Sequence, residues 1–229
     1  MRVLLFDIDL TLVNTGGAGR IAMTRAFTEL FGPDKRMDGV SFAGRTDRVI
    51  FRDAVEQNQL PWRAEDEEAF KQRYLTYLRA EIKKPNPRQH VEPGIPELLQ
   101  VLSQRSDVAL GLLTGNWRAG AEIKLEHFGL FHYFRFGAFA DDAESRNDLP
   151  AVARRRFQET FGQPVAASDM FIIGDTPLDV ACAKPFGAKA VSVATGFFSY
   201  EELAACHPDY LFHDLSNTEA FLKILNGRA

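Results

Sequence analysis

Short apolar runs alternate with stretches of helical periodicity along most of this chain. The runs have the length of β-strands and lie at residues 3–8, 108–113, 134–139, 170–173, 190–194 and 210–212. Several of them lack apolar–polar alternation, which is typical of parallel strands that helices cover on both faces. Because strands separated by helices favour a parallel sheet, the pattern predicts an α/β fold with a doubly wound parallel sheet.

One long segment interrupts this alternation. Helical periodicity continues through residues 21–31, 48–57 and 64–83, with no convincing strand between them. The sequences Asn-Thr-Gly-Gly and Lys-Pro-Asn-Pro at its two edges are typical of hinges. We therefore predict a core formed by residues 1–15 and 85–229 and an all-helical cap formed by residues 16–84.

Composition excludes several classes of protein. The 229 residues are 45% hydrophobic, which is enough to bury a core, and the net charge of −4 gives no general attraction to nucleic acid or to an anionic membrane. The two cysteines and five histidines lack the spacing of a zinc site. No run approaches the roughly 20 apolar residues of a membrane span, so we expect a cytoplasmic protein.

The clearest chemical signal is Asp-Ile-Asp-Leu-Thr at residues 7–11, directly after the first apolar run. Open α/β sheets bind their ligands at the carboxyl ends of strands, which is where this motif lies. Asp7 and Asp9 lie two residues apart, and side chains at that spacing on a strand point to the same face.

Two further strand ends carry polar residues. Gly-Asp-Thr-Pro-Leu-Asp at residues 174–179 follows the fourth apolar run, and Thr-Gly-Asn at residues 114–116 follows the second. Taken singly, each motif could be an ordinary turn or a helix cap. Together with residues 7–11, they indicate one phosphoryl-transfer site.

The order of these motifs resembles the haloacid dehalogenase superfamily, and the resemblance covers essentially the whole chain. It implies a Rossmann-like core with a mobile cap inserted after the first strand, and a Mg²⁺-dependent reaction. By this resemblance Asp7 is both nucleophile and metal ligand, and Asp9 is the general acid and base and a ligand through its carbonyl. Asp175 is a metal ligand and Asp179 orients the metal shell. Magnesium prefers such oxygen ligands.

The resemblance also implies that Thr114 is catalytic and that Gly115 and Asn116 bind phosphate. The family usually supplies a lysine between the second and the final motif, yet residues 134–170 contain none. We assign Arg146 to this catalytic position, although an arginine differs from a lysine in geometry and reach. The competing cations are the Arg-Arg-Arg run on the following helix, where a solvated face is the usual meaning, and the more distant Lys184.

A polar cap loop at residues 42–47 precedes the second helix of the cap. We assign Arg45 to substrate binding, where it would suit a second anionic group such as a carboxylate. The alternative is that Arg45 is solvated while Thr46 or Asp47 caps the helix.

The sequence thus predicts a Mg²⁺-dependent phosphatase that hydrolyses a small metabolite, phosphoglycolate-like or a sugar phosphate, through an aspartyl-phosphate. The acid at Asp9 disfavours dehalogenation, because a halide needs no proton. A phosphomutase is one alternative. A non-catalytic phosphate- or metal-binding regulatory module is another, supported only by the missing lysine.

Overall fold

A computed structural model describes residues 1–225. Six parallel strands form the central sheet in the order β5-β4-β1-β6-β7-β8. The strands span Arg2–Phe6 (β1), Val108–Leu113 (β4), Phe136–Ala138 (β5), Met170–Gly174 (β6), Lys189–Val193 (β7) and Tyr210–Phe212 (β8). The short β2 (Val13–Thr15) and β3 (Gln89–Val91) pair with each other in an antiparallel manner.

Helices cover both faces of the central sheet. They span Ile95–Ser103 (α4), Arg118–His127 (α5), Leu149–Phe161 (α6), Pro177–Phe186 (α7), Tyr200–Ala204 (α8) and Thr218–Leu225 (α9). Leu4 and Phe6 of β1 pack into one apolar cluster with α4, α5 and α9, whereas Val3 and Leu5 pack into another with α6 and α7. Both faces of β1 are buried, so the predicted doubly wound α/β fold is confirmed.

Three helices lie between β2 and β3, and they span Ala18–Phe31 (α1), Asp47–Gln57 (α2) and Ala64–Glu81 (α3). Their shared core is aromatic: the rings of Phe51 and Phe70 stack at 4.6 Å, and Phe27 meets both rings edge-on. Trp117, just before α5, completes this cluster and is 1% exposed. The helices match the expected cap, and the exact division at residues 15/16 and 84/85 stays a prediction.

The two expected hinge segments lie against each other. Asn86 donates a side-chain hydrogen bond of 3.0 Å to the Gly16 carbonyl, and Gly16 has a φ of 64°. A Cβ at Gly16 would lie 2.4 Å from the Asn86 amide nitrogen, so this left-handed close approach requires glycine. The chain therefore leaves and re-enters the core at one place, through the β2–β3 pair.

Among the described residues, no helix combines the length and apolar character needed to cross a membrane.

Candidate active site

The three motifs meet because their strands are neighbours. β4, β1 and β6 are adjacent in the sheet, and Asp7, Thr114 and Asp175 each follow the carboxyl end of one of them. Backbone bonds keep the motifs in register: Asp7 donates to the Ile173 carbonyl at 2.9 Å, and Thr114 donates to the Ala138 carbonyl at 3.1 Å.

The chain turns immediately after β1. Leu10 has a φ of 59°, a left-handed conformation that costs a non-glycine residue roughly 1–2 kcal/mol. Hydrogen bonds hold the turn, from Leu10 N–H to the Val13 carbonyl at 2.8 Å and from the Thr195 hydroxyl to the Leu10 carbonyl at 2.5 Å. Asp7 and Asp9, which precede this turn, line the same cavity.

A cluster of buried carboxylates lies at the floor of this cavity. One oxygen from each of Asp7, Asp175 and Asp179 lies within 4.8 Å of the others. Burial raises the pKa of Asp175 well above its usual value, and the nearby Asp179 and Asp7 carboxylates raise it further. Burial also raises the pKa of Asp7, although Arg146 opposes the shift. Like charges at this depth favour a bound cation, and the all-oxygen set suits a hard ion such as Mg²⁺.

Three hydrogen bonds, from two residues, hold the Asp179 carboxylate. As part of a capping box at the start of α7, it accepts from the Thr176 backbone at 3.0 Å and from the Thr176 hydroxyl at 2.8 Å. Its other oxygen lies 2.5 Å from Arg146. A Cβ at Gly174 would lie 2.0 Å from the carboxyl carbon of Asp179, so glycine is required at this position. Asp179 therefore both caps α7 and belongs to the acidic cluster.

Arg146 lines the same cavity, and its assigned catalytic role stays a prediction. The residue is 7% exposed, and its Nη2 atom lies 2.5 Å from Asp179 and 3.1 Å from Asp7. Its Nη1 atom donates to the Gly44 carbonyl of the cap loop at 3.1 Å. The competing cations lie elsewhere, since Lys184 donates to the Cys206 carbonyl and Arg156 pairs with Asp142. Arg146 thus takes a place between the nucleophile candidate and the cap.

Residues 114–116 form a compact loop beside Asp9. The Asn116 side-chain amide donates to the Thr114 hydroxyl at 2.8 Å and to Asp9 at 2.9 Å. Gly115 contacts the cap, because its carbonyl accepts from Asp47 N–H at 2.7 Å and a Cβ there would lie 2.1 Å from the Arg45 carbonyl. Gly115 therefore also has a docking role that the sequence did not indicate.

Arg45 lines the cavity, and its guanidinium forms an ion pair with Asp53 of α2. Thr46 caps α2 by accepting from Val49 N–H at 3.3 Å, and its hydroxyl donates to the Glu144 carbonyl of the core at 2.9 Å. Thr46 therefore caps α2 while Arg45 lines the cavity, and the substrate-binding role of Arg45 stays a prediction.

The sequence analysis missed Lys124 of α5. This lysine is 4% exposed, and its Nζ atom lies 2.8 and 2.6 Å from the two carboxylate oxygens of Asp9 and 2.6 Å from the Asn116 side-chain oxygen. The residue precedes the segment 134–170, in which the family pattern places its lysine. A signal existed, because Lys124 falls on the same buried face as Ala121 and Leu125. A lysine on an apolar helix face requires a partner.

Asp47 adds a buried charge beside Lys124. Its carboxylate accepts from Trp117 N–H at 2.8 Å and is 5% exposed. Burial raises the pKa of Asp47 to about 7, although Lys124 opposes the shift.

Cap and core enclose the cavity together, and its volume is about 660 Å³. That volume suits a small molecule. The walls include Asp7, Thr114 and Asp175 from the core and Phe42 and Arg45 from the cap.

Comparison with known proteins identifies the family. The model of the haloacid dehalogenase-like hydrolases matches residues 4–193. A phosphoglycolate phosphatase from Synechococcus elongatus is 28% identical over 95% of this chain and 95% of the relative. Another from Pseudomonas savastanoi pv. phaseolicola is 27% identical over 93% of this chain and 77% of the relative.

Solved structures share the fold at lower identity. The crystal structure of a predicted phosphoglycolate phosphatase from Haemophilus somnus gives a TM-score of 0.73 at 20% identity, with 98% of this chain and 97% of that chain covered. The crystal structure of a β-phosphoglucomutase from Clostridium difficile gives a TM-score of 0.74 at 15% identity, with 99% of this chain and 98% of that chain covered.

A parallel α/β core with acidic residues after β1 and β6 and a Thr-Gly-Asn loop after β4, together with these matches, defines this chain as an enzyme of the hydrolase class. It belongs to the haloacid dehalogenase-like hydrolase family. The family and the hydrolase class expected from the motifs are confirmed.

The raised pKa of Asp47 predicts a pH-dependent stability. The folded pKa of Asp47 is about 7, above the usual 3.8, so the native state holds this proton more tightly than the unfolded state does. The resulting stabilisation is lost as the pH rises from 3.8 to about 7. The amide of Asp47→Asn does not titrate, so the variant does not lose stability in this way. We expect the free energy of unfolding of the variant, relative to the wild type, to rise by about 2–3 kcal/mol from pH 5 to pH 8 in urea titrations. The exposed Asp38→Asn is the control, and a pH-independent difference for Asp47→Asn would contradict the prediction.

Proposed function

We propose that this chain is a Mg²⁺-dependent phosphatase that hydrolyses a small phosphorylated metabolite through an aspartyl-phosphate. One observation carries the proposal: Asp7, Asp175 and Asp179 converge at the carboxyl edge of the sheet, with Arg146 among them and Asp9 on the same cavity. The family and the relatives called phosphoglycolate phosphatases support it.

The metal would be held by the Asp7 and Asp175 carboxylates and the Asp9 carbonyl, with Asp179 orienting the set. Once bound, Mg²⁺ supplies positive charge that lets an anionic phosphoryl group approach an anionic nucleophile. The acidic cluster fits this ion because it provides only oxygen ligands and is buried.

Asp7 is the nucleophile in this proposal. One of its carboxylate oxygens attacks phosphorus, and the bond from phosphorus to the ester oxygen breaks. Asp9 gives a proton to the leaving ester oxygen. In the second step Asp9 takes a proton from water as that water attacks phosphorus, which releases inorganic phosphate and restores the Asp7 carboxylate.

The phosphoryl oxygens would be held by the Thr114 hydroxyl, by backbone amides of Gly115 and Asn116, and by Arg146. Such donors stabilise the charge that develops on these oxygens in the transition state. The cap loop closes over them, because Arg146 also binds the Gly44 carbonyl. Closure of this kind excludes water from the reacting groups.

The substrate we favour carries a second anionic group, as phosphoglycolate does. Arg45 supplies a cation at the cavity wall, and it would exchange part of its contact with Asp53 for the substrate. A sugar phosphate is the second candidate. We expect a cytoplasmic location, where such metabolites occur.

The first prediction concerns the reaction itself. Phosphate release from a panel containing phosphoglycolate, sugar phosphates and p-nitrophenyl phosphate should require Mg²⁺. Asp7→Asn should lower the rate at least about 1,000-fold, because an amide cannot serve as the nucleophile. Colorimetric phosphate assays measure both effects, and the mutant also controls for contaminating phosphatases.

Metal-independent release, or release that survives Asp7→Asn, would contradict the proposal. Phosphoryl transfer to a sugar that needs a bisphosphate activator would instead identify a mutase. Ligand binding without turnover would identify a regulatory module.

A second prediction concerns Arg146. Arg146→Met leaves the buried Asp7 and Asp179 carboxylates without their cation, so we expect kcat to fall on the order of 100-fold or more. Arg146→Lys restores the positive charge but lacks the planar guanidinium, so its kcat should lie between those of the wild type and of Arg146→Met. Steady-state kinetics at saturating Mg²⁺ measures this. The exposed Arg155→Met is the control, and an unchanged kcat in Arg146→Met would exclude the assigned role.

A third prediction concerns Arg45. Arg45→Ala should raise KM for phosphoglycolate about tenfold, because it removes a charge-assisted contact to the carboxylate. KM for p-nitrophenyl phosphate, which has no second anion, should stay within about twofold by the same principle. The neighbouring Arg48→Ala, whose wild-type side chain pairs with Glu67, is the matched control. Equal changes for both substrates would show that Arg45 only supports the cap through Asp53.

A further inference from the structure

Two buried cations lie in this site, and each contacts a different catalytic carboxylate. Arg146 contacts the nucleophile candidate Asp7, whereas Lys124 contacts Asp9, the candidate general acid and base. Their side chains are 6% and 5% exposed. Arg146 is assigned to the place of the family's lysine, so Lys124 is an additional cation for which the motifs gave no role.

The position of Lys124 on α5 explains its reach. Helical side chains lean toward the helix N-terminus, so the long stem of Lys124 lies back along α5 toward the loop that carries Asn116. An ammonium group has three donors, and Nζ has three oxygen atoms around it: both Asp9 carboxylate oxygens and the Asn116 side-chain oxygen. The Asn116 amide in turn donates to Asp9. The Asp9 carboxylate is therefore held by two side chains on the core side.

Two glycines keep the space for this arrangement. Gly120 lies one turn before Lys124 on the same face of α5, and a Cβ there would lie 3.2 Å from the Tyr74 hydroxyl oxygen of the cap. A Cβ at Gly19 of α1 would lie 3.3 Å from Nζ of Lys124. The backbone of the cap therefore lies close to the ammonium group at Gly19, and α5 lies close to Tyr74 of the cap at Gly120.

We propose that Lys124 is a positioning residue that fixes the Asp9 carboxylate in its orientation toward the cavity. This inference rests on the proposed phosphatase function. The side chain of Asp9 is 42% exposed, so its cavity side is open to substrate, and only its core side is anchored. Without an anchor the carboxylate would exchange among staggered rotamers. A misplacement of about 1 Å in a catalytic group costs on the order of 100-fold in rate.

The kinetic test compares Lys124→Met with the wild type on two kinds of ester. An alkyl phosphate releases an alkoxide that needs the proton of Asp9, whereas p-nitrophenolate leaves without one. We expect kcat for the alkyl phosphate to fall about 100-fold while KM stays within about threefold. The pre-steady-state burst of nitrophenol should keep its rate within about threefold, because that step needs Asp7 and not Asp9.

Asp9→Asn completes a double-mutant cycle. If Lys124 acts through Asp9, Lys124→Met should change the alkyl-phosphate rate of the Asp9→Asn enzyme less than about threefold. A further 100-fold loss in that background, or an equal loss of the nitrophenol burst, would overturn the inference. Lys223→Met, at an exposed position of α9, is the control and should behave as wild type.

A crystal structure of Lys124→Met gives a second readout that does not depend on turnover. The Asp9 carboxylate should leave its wild-type position or occupy several, and a single unchanged conformation would overturn the inference. If the wild type hydrolyses no ester, the proposed phosphatase function is wrong. The crystal structure of Lys124→Met still shows whether Lys124 fixes the Asp9 carboxylate. Met preserves the apolar stem, and thermal unfolding checks the fold. If Lys124→Met does not fold, the same measurements are made on Lys124→Gln.

Discussion

The burial of three carboxylates at one sheet edge is the constraint to which the rest of the site responds. Burial raises the pKa of Asp7 and of Asp175, so the charged form of each depends on nearby positive charge. Arg146 supplies part of that charge and a divalent ion would supply the remainder. The same contact ties the reacting groups to the cap, because Arg146 also binds the Gly44 carbonyl.

Contacts between cap and core explain how a helical insertion can contribute to a site built at strand ends. Trp117 of the core packs into the aromatic cluster of the cap, and the Gly115 carbonyl accepts from the backbone of α2. The Thr46 hydroxyl also donates to the Glu144 carbonyl of the core. Because Gly115 and Trp117 both contact the cap, any movement of the cap must change the surroundings of residues 114–116.

Much of the site could be predicted because it lies where local sequence is most informative. Asp7, Thr114 and Asp175 directly follow apolar strands, and adjacent parallel strands bring their ends together. Asp179 was found for the same reason, although its second role as a helix cap became visible only from its contacts. The short β2–β3 pair was missed because Val-Asn-Thr and Gln-His-Val are mostly polar and form no apolar run, unlike the equally short β5 and β8.

The sequence by itself determined the fold class, the helical insertion and the carboxylates of the motifs, because strand ends and helical periodicity depend on neighbouring residues. Only the tertiary structure decided the partners of the charged side chains. Lys124 contacts Asp9, which is 115 positions away in the chain, and Arg146 contacts Asp179, which is 33 positions away. Ion pairs of this kind depend on how helices pack against the sheet, and local pattern does not encode that packing.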